Sequence, residues 1–318
     1  MKRSYFGFLL CLMSLGSAAN ARSAWSQSDP PGFVMWSSSE LAQRDAALST
    51  RVGQDHSARE TLLDYGYPAG AYRFRMIHRD ADGIPEIHED GLDVVFIKSG
   101  EGTLLVGGEM IDRSGNSGTG IAGGTRYPLG PGDVIHIPAD TPHRYLVSEG
   151  GHITYVLVRV PAFVGEPVVL ADAPVLQFDP PGFAMWKSSE LEQRDAALST
   201  RVGANHSARE TLADYGNPTG AHRFRFIHRD ADGAPEIHDD IIDVVFIKSG
   251  EGTLLVGGEM LNRRGTLGTG IAGGRRYPVG PGDMIHIPRE TPHGYLVEEG
   301  GHITYVLVRV PAFLGENP

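Results

Sequence analysis

The chain has 318 residues, among them 42 Gly and 21 Pro, which fits two modest domains full of turns. A formal net charge of −11, with no basic run, argues against nucleic acid as a partner. After the first residues, no stretch is apolar for long enough to span a membrane.

Met1–Ala21 is expected to be a secretory signal. Basic Lys2 and Arg3 precede an apolar run from Tyr5 to Leu15, and small residues close it at Ala19-Asn20-Ala21. The mature protein is therefore expected to be secreted or periplasmic. The only cysteine, Cys11, lies in this segment, so the mature chain has no disulfide, thiolate ligand or cysteine nucleophile. The remainder is a repeat: Asp29–Phe33 (DPPGF) returns as Asp179–Phe183, and Glu101–Met110 returns unchanged as Glu251–Met260. Gly165–Phe178, rich in Pro, Val and Ala, reads as a short linker between a domain at 22–168 and a second at 169–318.

Within a repeat, Ser38–Val52 is predicted as a helix, with Ser38 or Ser39 as cap and Leu41, Leu48 and Val52 as its apolar stripe. Ser57–Tyr65 is expected as a second short helix. After Gly70 the pattern changes to short β-branched or aromatic strands. These are predicted at Ala71–Ile77, Asp93–Lys98, Thr103–Val106, Val134–Ile137, Tyr145–Val147 and Ile153–Val160. Many short strands broken by Gly, Pro and Asp indicate a sandwich or jelly roll. Ser114–Gly124 is rich in glycine, but no helix start follows it, so it reads as a mobile hairpin loop and possible flap rather than a phosphate cradle.

The chemistry concentrates in Pro85–Gly100 (PEIHEDGLDVVFIKSG) and Gly132–His143 (GDVIHIPADTPH), which recur as Pro235–Gly250 and Gly282–His293. Strand alternation sends Glu86 and His88 the same way and puts Asp93 on the face of Val95 and Ile97. His143 opens a further strand, with Tyr145 and Val147 on its face. Two His and two carboxylates from three strands can thus converge inside a small barrel, a set that suits Fe, Mn, Ni or Zn. An inward Asp93 needs a metal or an Arg beside it. Glu86 is a ligand, a general base next to the metal, or a solvated hairpin residue. Tyr145 is expected to line the pocket and orient substrate or act as an acid. Glu236, His238, Asp243, His293 and Tyr295 repeat the set, so two equivalent sites are expected.

Other polar residues fall into patterns. Arg73 and Arg75 share one strand face, while Phe74, Met76 and His78 share the other. With the apolar face inward, His78 approaches the site and the arginines lie on the surface, which is the favoured reading. With the arginines inward, they suit a carboxylate substrate. His136 and His286 are expected to point away from the core, and Glu89, Asp90 and Asp240 to be solvated.

The two segments resemble the two motifs of the cupins. Gly83, His88, Asp93 and Gly100 fall on the first, with Glu86 where the first His of H-x-H would stand and Asp for Glu. Gly132, Pro138 and His143 fall on the second, with Asp140 in the place of Gly. The resemblance runs from about Arg73 to Val160 and from Arg223 to Val310. It implies an all-β protein of two tandem cupin-type double-stranded β-helix (jelly-roll) barrels, each with a short helical N-terminal segment. It implies a divalent metal in each barrel, on His88, Asp93 and His143 and on His238, Asp243 and His293. A small-molecule substrate or ligand, and a homo-oligomer formed along an exposed strand edge, are further implications. Two functions stand side by side: a metal-dependent enzyme of dioxygenase, isomerase or lyase type, and a non-catalytic metal- or ligand-binding module. A nucleophile-triad hydrolase is disfavoured, since there is no G-x-S-x-G and no Cys after the signal.

Overall fold

The computed structural model describes residues 29–65, 72–161, 180–215 and 222–312. The expected signal at 1–21 and linker at 165–178 lie outside the described residues. In the first repeat, strand β1 (Val34–Trp36) leads into helix α1 (Ser38–Ser49). Strands β2 (Ser57–Asp64), β3 (Arg73–Arg79), β4 (Gly91–Gly100), β5 (Gly102–Val106) and β6 (Glu109–Ile111) follow. The repeat closes with β7 (Gly120–Ala122), β8 (Thr125–Leu129), β9 (Val134–Ile137), β10 (His143–Leu146) and β11 (Ile153–Pro161). The second repeat runs through β12 (Ala184–Trp186), α2 (Ser188–Ser199), β13 (Ser207–Asp214), β14 (Arg223–Arg229), β15 (Ile241–Gly250) and β16 (Gly252–Val256). It ends with β17 (Glu259–Leu261), β18 (Gly270–Ala272), β19 (Arg275–Val279), β20 (Met284–Ile287), β21 (His293–Leu296) and β22 (Ile303–Pro311).

Each repeat wraps into a barrel from a six-stranded and a three-stranded sheet, and the six-stranded sheets borrow a strand. The first has the order β12-β9-β4-β11-β3-β2, and the second β1-β20-β15-β22-β14-β13. Thus the opening strand of each repeat pairs with the other repeat: Val34 opposes His286, and Ala184 opposes His136. Phe33 accordingly packs inside the second barrel, and Phe183 inside the first. The exchange is reinforced at the helix starts, where Asp283 accepts from Ser38 N at 2.6 Å and Asp133 from Ser188 N at 2.8 Å. Lys98 and Lys248 donate across the joint to the carbonyls of Gly282 and Gly132.

Burial explains the strand sequences. On β4, Val95 and Ile97 face the barrel interior, while Leu92, Val94 and Phe96 face a third apolar cluster shared by both barrels. Both faces are covered, so β4 reads as a near-continuous apolar run interrupted by Asp93. In the shared cluster, Phe96 and Phe246 meet with ring centroids 5.0 Å apart, and Leu41 and Leu48 bring α1 down onto it. The cap of α1 is Ser37, whose hydroxyl accepts from Glu40 N, rather than Ser38 or Ser39. Gly100 closes β4 with φ +71, and a Cβ there would stand 2.0 Å from the His152 carbonyl oxygen, so only glycine fits.

Ser57–Tyr65 is not a helix. Its residues 57–64 form β2, antiparallel to β3, with a register shift between Thr61 and Leu63. The open edge of β3 supplies a full ladder of hydrogen bonds, which outweighs a weak local preference. The glycine-rich 114–124 stretch forms part of a hairpin, as expected. β7 pairs with β6, Ile87 N donates to Asn116 O, and Gly118 N donates to Pro85 O, tying the hairpin to the segment that carries Glu86.

Candidate metal centre

The backbone brings the first donors together. Glu86 and His143 exchange reciprocal hydrogen bonds, N to O, at 2.8 Å each, which lays the two residues side by side. His143 Nδ1 lies 2.9 Å from the Thr141 carbonyl. A carbonyl only accepts, so Nδ1 carries the proton and Nε2 presents its lone pair to the interior. His88 Nε2 is buried with no hydrogen-bond partner and lies 3.5 Å from Glu86 Oε2. Donor atoms of Glu86, His88 and His143 all lie within 4.8 Å of one another, as do those of Glu236, His238 and His293.

These residues fit a divalent cation. Two imidazole nitrogens and one carboxylate make a 2-His-1-carboxylate set. The Thr141 contact is the outer hydrogen bond that fixes a ligating imidazole, and the orphaned His88 Nε2 lacks the partner that a metal would be. Burial would raise the Glu86 carboxyl, but the adjacent His88 imidazole and the neighbouring His143 and Arg79 bring it down to about 2. Glu236 is lowered in the same way, with Arg309 adding to the effect. Both carboxylates are therefore ionised at any working pH.

Asp93 and Asp243, the carboxylates that the motif implied as ligands, each face a largely buried arginine in the structure. Both Asp93 oxygens accept from Arg159, Nε at 2.7 Å and Nη2 at 2.8 Å. This bidentate pair supplies the counter-charge that a fully buried carboxylate requires. Asp93 still touches the donor set, 3.7 Å from His143 Nε2. In the second barrel the arginine sits further in: Arg309 donates to Glu236 Oε2 and lies against His238 Nε2, both at 2.8 Å, while its Nε is 3.2 Å from Asp243. Its guanidinium stands where a cation between those donors would stand. The imidazoles respond differently: burial lowers His143, whereas His293 is equally buried yet raised by Asp243 at 3.4 Å.

Tyr145 and Tyr295 do line the interior, each with a buried hydroxyl that has no partner. Burial pushes both phenols well above their ordinary value, so they are neutral donors rather than ready acids. Tyr145 stacks on Tyr155 at 4.4 Å, and Arg79 Nε donates to the Tyr155 hydroxyl at 3.0 Å.

Two expectations are overturned, and a third holds in part. His78 points away from the site, to Thr154 Oγ1 at 2.8 Å and Asp45 of α1 at 3.0 Å. Arg75 lies on the interior-facing side of β3 with Ile77 and Arg79, because Phe74 and Met76 serve the shared cluster instead. His136 and His286 point out of their barrels as expected, but into the joint, where they are fully buried. Sequence reasoning missed Arg79, Arg159, Tyr155 and their repeats. The available signal was phase: in ITYVLVRVP, Arg159 falls in step with Tyr155 and Leu157, both inward.

Residues 73–158 match the family described as "Cupin domain". No curated protein matches the chain in sequence. Among solved structures, salicylate 1,2-dioxygenase from Pseudoaminobacter salicylatoxidans, a variant in complex with gentisate, superposes with a TM-score of 0.60 at 12% identity, over 89% of this chain and 83% of that one. A putative glyoxylate induced protein from Pseudomonas aeruginosa gives 0.54 at 12% identity, over 91% and 93%. At such identity the likeness shows the fold.

Proposed function

We propose that this chain, a two-barrel protein of cupin fold whose residues 73–158 match the cupin domain, is an exported enzyme that holds a divalent metal in each barrel and transforms a small polar organic substrate. Met1–Ala21 directs the export. The ligands are Glu86, His88 and His143 in the first barrel and Glu236, His238 and His293 in the second. The observation that carries this reading is the buried His88 Nε2, unpartnered and turned toward Glu86 and His143. The metal supplies open positions for oxygen chemistry if it is iron, or polarises a carbonyl or hydroxyl if it is redox-inert. The protein's own groups do the rest. Glu86 stays ionised, Tyr145 offers a neutral hydroxyl to a substrate oxygen, and Arg159 balances Asp93. The β6–β7 hairpin is tied to the Glu86 segment by backbone hydrogen bonds.

A non-catalytic binding module is the second reading, favoured by Arg309. Its guanidinium stands among the donors and lines a cavity of about 30 Å³, roughly the share of one water. Metal analysis of the mature protein, purified without a metal-binding tag, tests the proposal. About two equivalents of iron, manganese, nickel or zinc are expected, and their loss in a His88→Ala plus His238→Ala variant. No bound metal, together with no thermal stabilisation on adding these ions, would sink it.

A further inference from the structure

Outside the barrels, the second repeat gathers further donor side chains between α2 and the sheet. A cleft of about 500 Å³ lies there, lined by Glu192 and Asp195 of α2, His228 of β14, and Asp230 and His302 at the strand ends. Three carboxylates and two imidazoles face this space, and no lysine or arginine does. The registers explain the gathering. His228 pairs with Thr304 and Arg229 with Ile303, so His302 sits diagonally from His228 on one face of the sheet. The two rings stack with centroids 5.3 Å apart. Glu192 and Asp195 share one face of α2. Asp230 also meets His206 Nδ1 at 3.0 Å.

One donor is already prepared. His228 is 5% exposed, and its Nδ1 lies 2.8 Å from both Asp195 Oδ1 and Thr304 Oγ1. Thr304 gives its own proton to Asp195 at 2.7 Å, and Ser249 Oγ donates to the other carboxylate oxygen. A carboxylate only accepts, so Nδ1 carries the imidazole proton and Nε2 is a bare lone pair. Among the described residues Nε2 has no hydrogen-bond partner, and its ring lines the cleft. An imidazole that gives one N–H to a carboxylate and keeps the other nitrogen free is how metal-binding histidines are held. His302, Glu192 and Asp230 are exposed, so their side chains turn readily toward a shared ion.

The first repeat has the same bonds among His78, Asp45, Thr154 and Ser99, and the same stacked His152 at 5.4 Å. It has Ala42 where the second has Glu192. We propose that the α2 cleft is a cation site separate from the barrels, taking one zinc-class divalent ion on His228 Nε2, His302 and Glu192, with Asp230 as the adjoining countercharge. Imidazoles with a carboxylate select zinc, nickel or copper over magnesium and calcium, which prefer oxygen alone. Bound there, the ion ties α2 to β14 and to the turn before β22. The first repeat, one carboxylate short, holds the ion more weakly.

Calorimetric zinc titration of the full chain, stripped with EDTA, tests this against three surface variants. Barrel uptake is counted separately in His88→Ala plus His238→Ala, so a failure of the barrel sites leaves the comparison intact. The unsubstituted chain is expected to take up one equivalent more than His302→Ala, with a dissociation constant on the order of micromolar. Glu192→Ala should weaken that equivalent by about tenfold or more, and Ala42→Glu should strengthen uptake in the first repeat by a similar factor. All three positions are exposed, so metal-free melting should stay unchanged. Magnesium in about hundredfold excess should not displace the ion. The proposal is overturned if His302→Ala takes up as much zinc as the unsubstituted chain, if Glu192→Ala and Ala42→Glu leave uptake unchanged, or if magnesium displaces the ion.

Discussion

Glu86 and Asp93 are carboxylates of one site with opposite obligations. Asp93 is the counter-charge of Arg159, and Glu86 is turned to the imidazoles. Asp93→Asn leaves a buried guanidinium without its partner and should cost about 3–5 kcal/mol of stability. Glu86→Gln removes the proposed ligand from a partly exposed position, so stability should hardly change while metal affinity falls more than about tenfold. Denaturant midpoints and a chelator competition on both variants separate the roles. Equal losses of stability would show that the two acids are interchangeable. The pair also marks how far sequence reasoning reached. The inward face of Asp93 and its need for a metal or an Arg were legible from alternation with Val95 and Ile97. That Arg159 meets the need was not, because the arginine lies 66 residues away on another strand.

At the scale of elements, the exchanged strands make a specific prediction. Phe33 belongs to the first repeat but fills the interior of the second barrel, 4.9 Å from Tyr277. Phe33→Ala should cost about 3–5 kcal/mol. Hydrogen exchange should quicken in Met284–Ile287, the strand that β1 pairs with, and stay slow in Val134–Ile137. Faster exchange in Val134–Ile137 instead would mean that each repeat keeps its own opening strand. The exchange was illegible in the sequence for a physical reason. VMW at 34–36 faces MIHI and AMW at 184–186 faces VIHI, near-identical pairs, so either opening strand suits either partner equally well. The strands of the barrel wall, by contrast, announced themselves by β-branched runs and turn residues. The arginine face of β3 was misread for another reason: helix and joint cover Phe74 and Met76, so the apolar side of that strand is not the barrel side.

At the scale of the whole molecule, three neutral histidines line the joint between the barrels. His136 Nδ1 donates to Gly182 O and its Nε2 meets His222 Nε2 at 2.9 Å. In the related position, Tyr72 donates its hydroxyl to His286 Nε2, also at 2.9 Å. Burial lowers His136 and His286 to about 4 and His222 well below its ordinary value. The folded values lie below the unfolded value of about 6.5, so the unfolded chain gains protons first as pH falls. Stability is therefore full above about pH 6.5 and declines below it, by at most roughly 2 kcal/mol for each histidine down to pH 5. Carboxylates titrate mainly below that window. Denaturant midpoints at pH 8, 6 and 5 should show the decline, and His222→Tyr, which copies Tyr72, should reduce it by about one third. A flat profile in the unsubstituted protein would mean that the joint tolerates charge.

The reciprocal loan of strands also sets an order of events as the chain is made. β1 leaves the ribosome some 250 residues before its partner, Met284–Ile287. Until then Phe33, Val34 and Trp36 have no seat, and the second barrel cannot close without a piece synthesised some 250 residues earlier. A chain cut short before residue 284 therefore loses the seat of its own opening strand along with the wall of its second barrel.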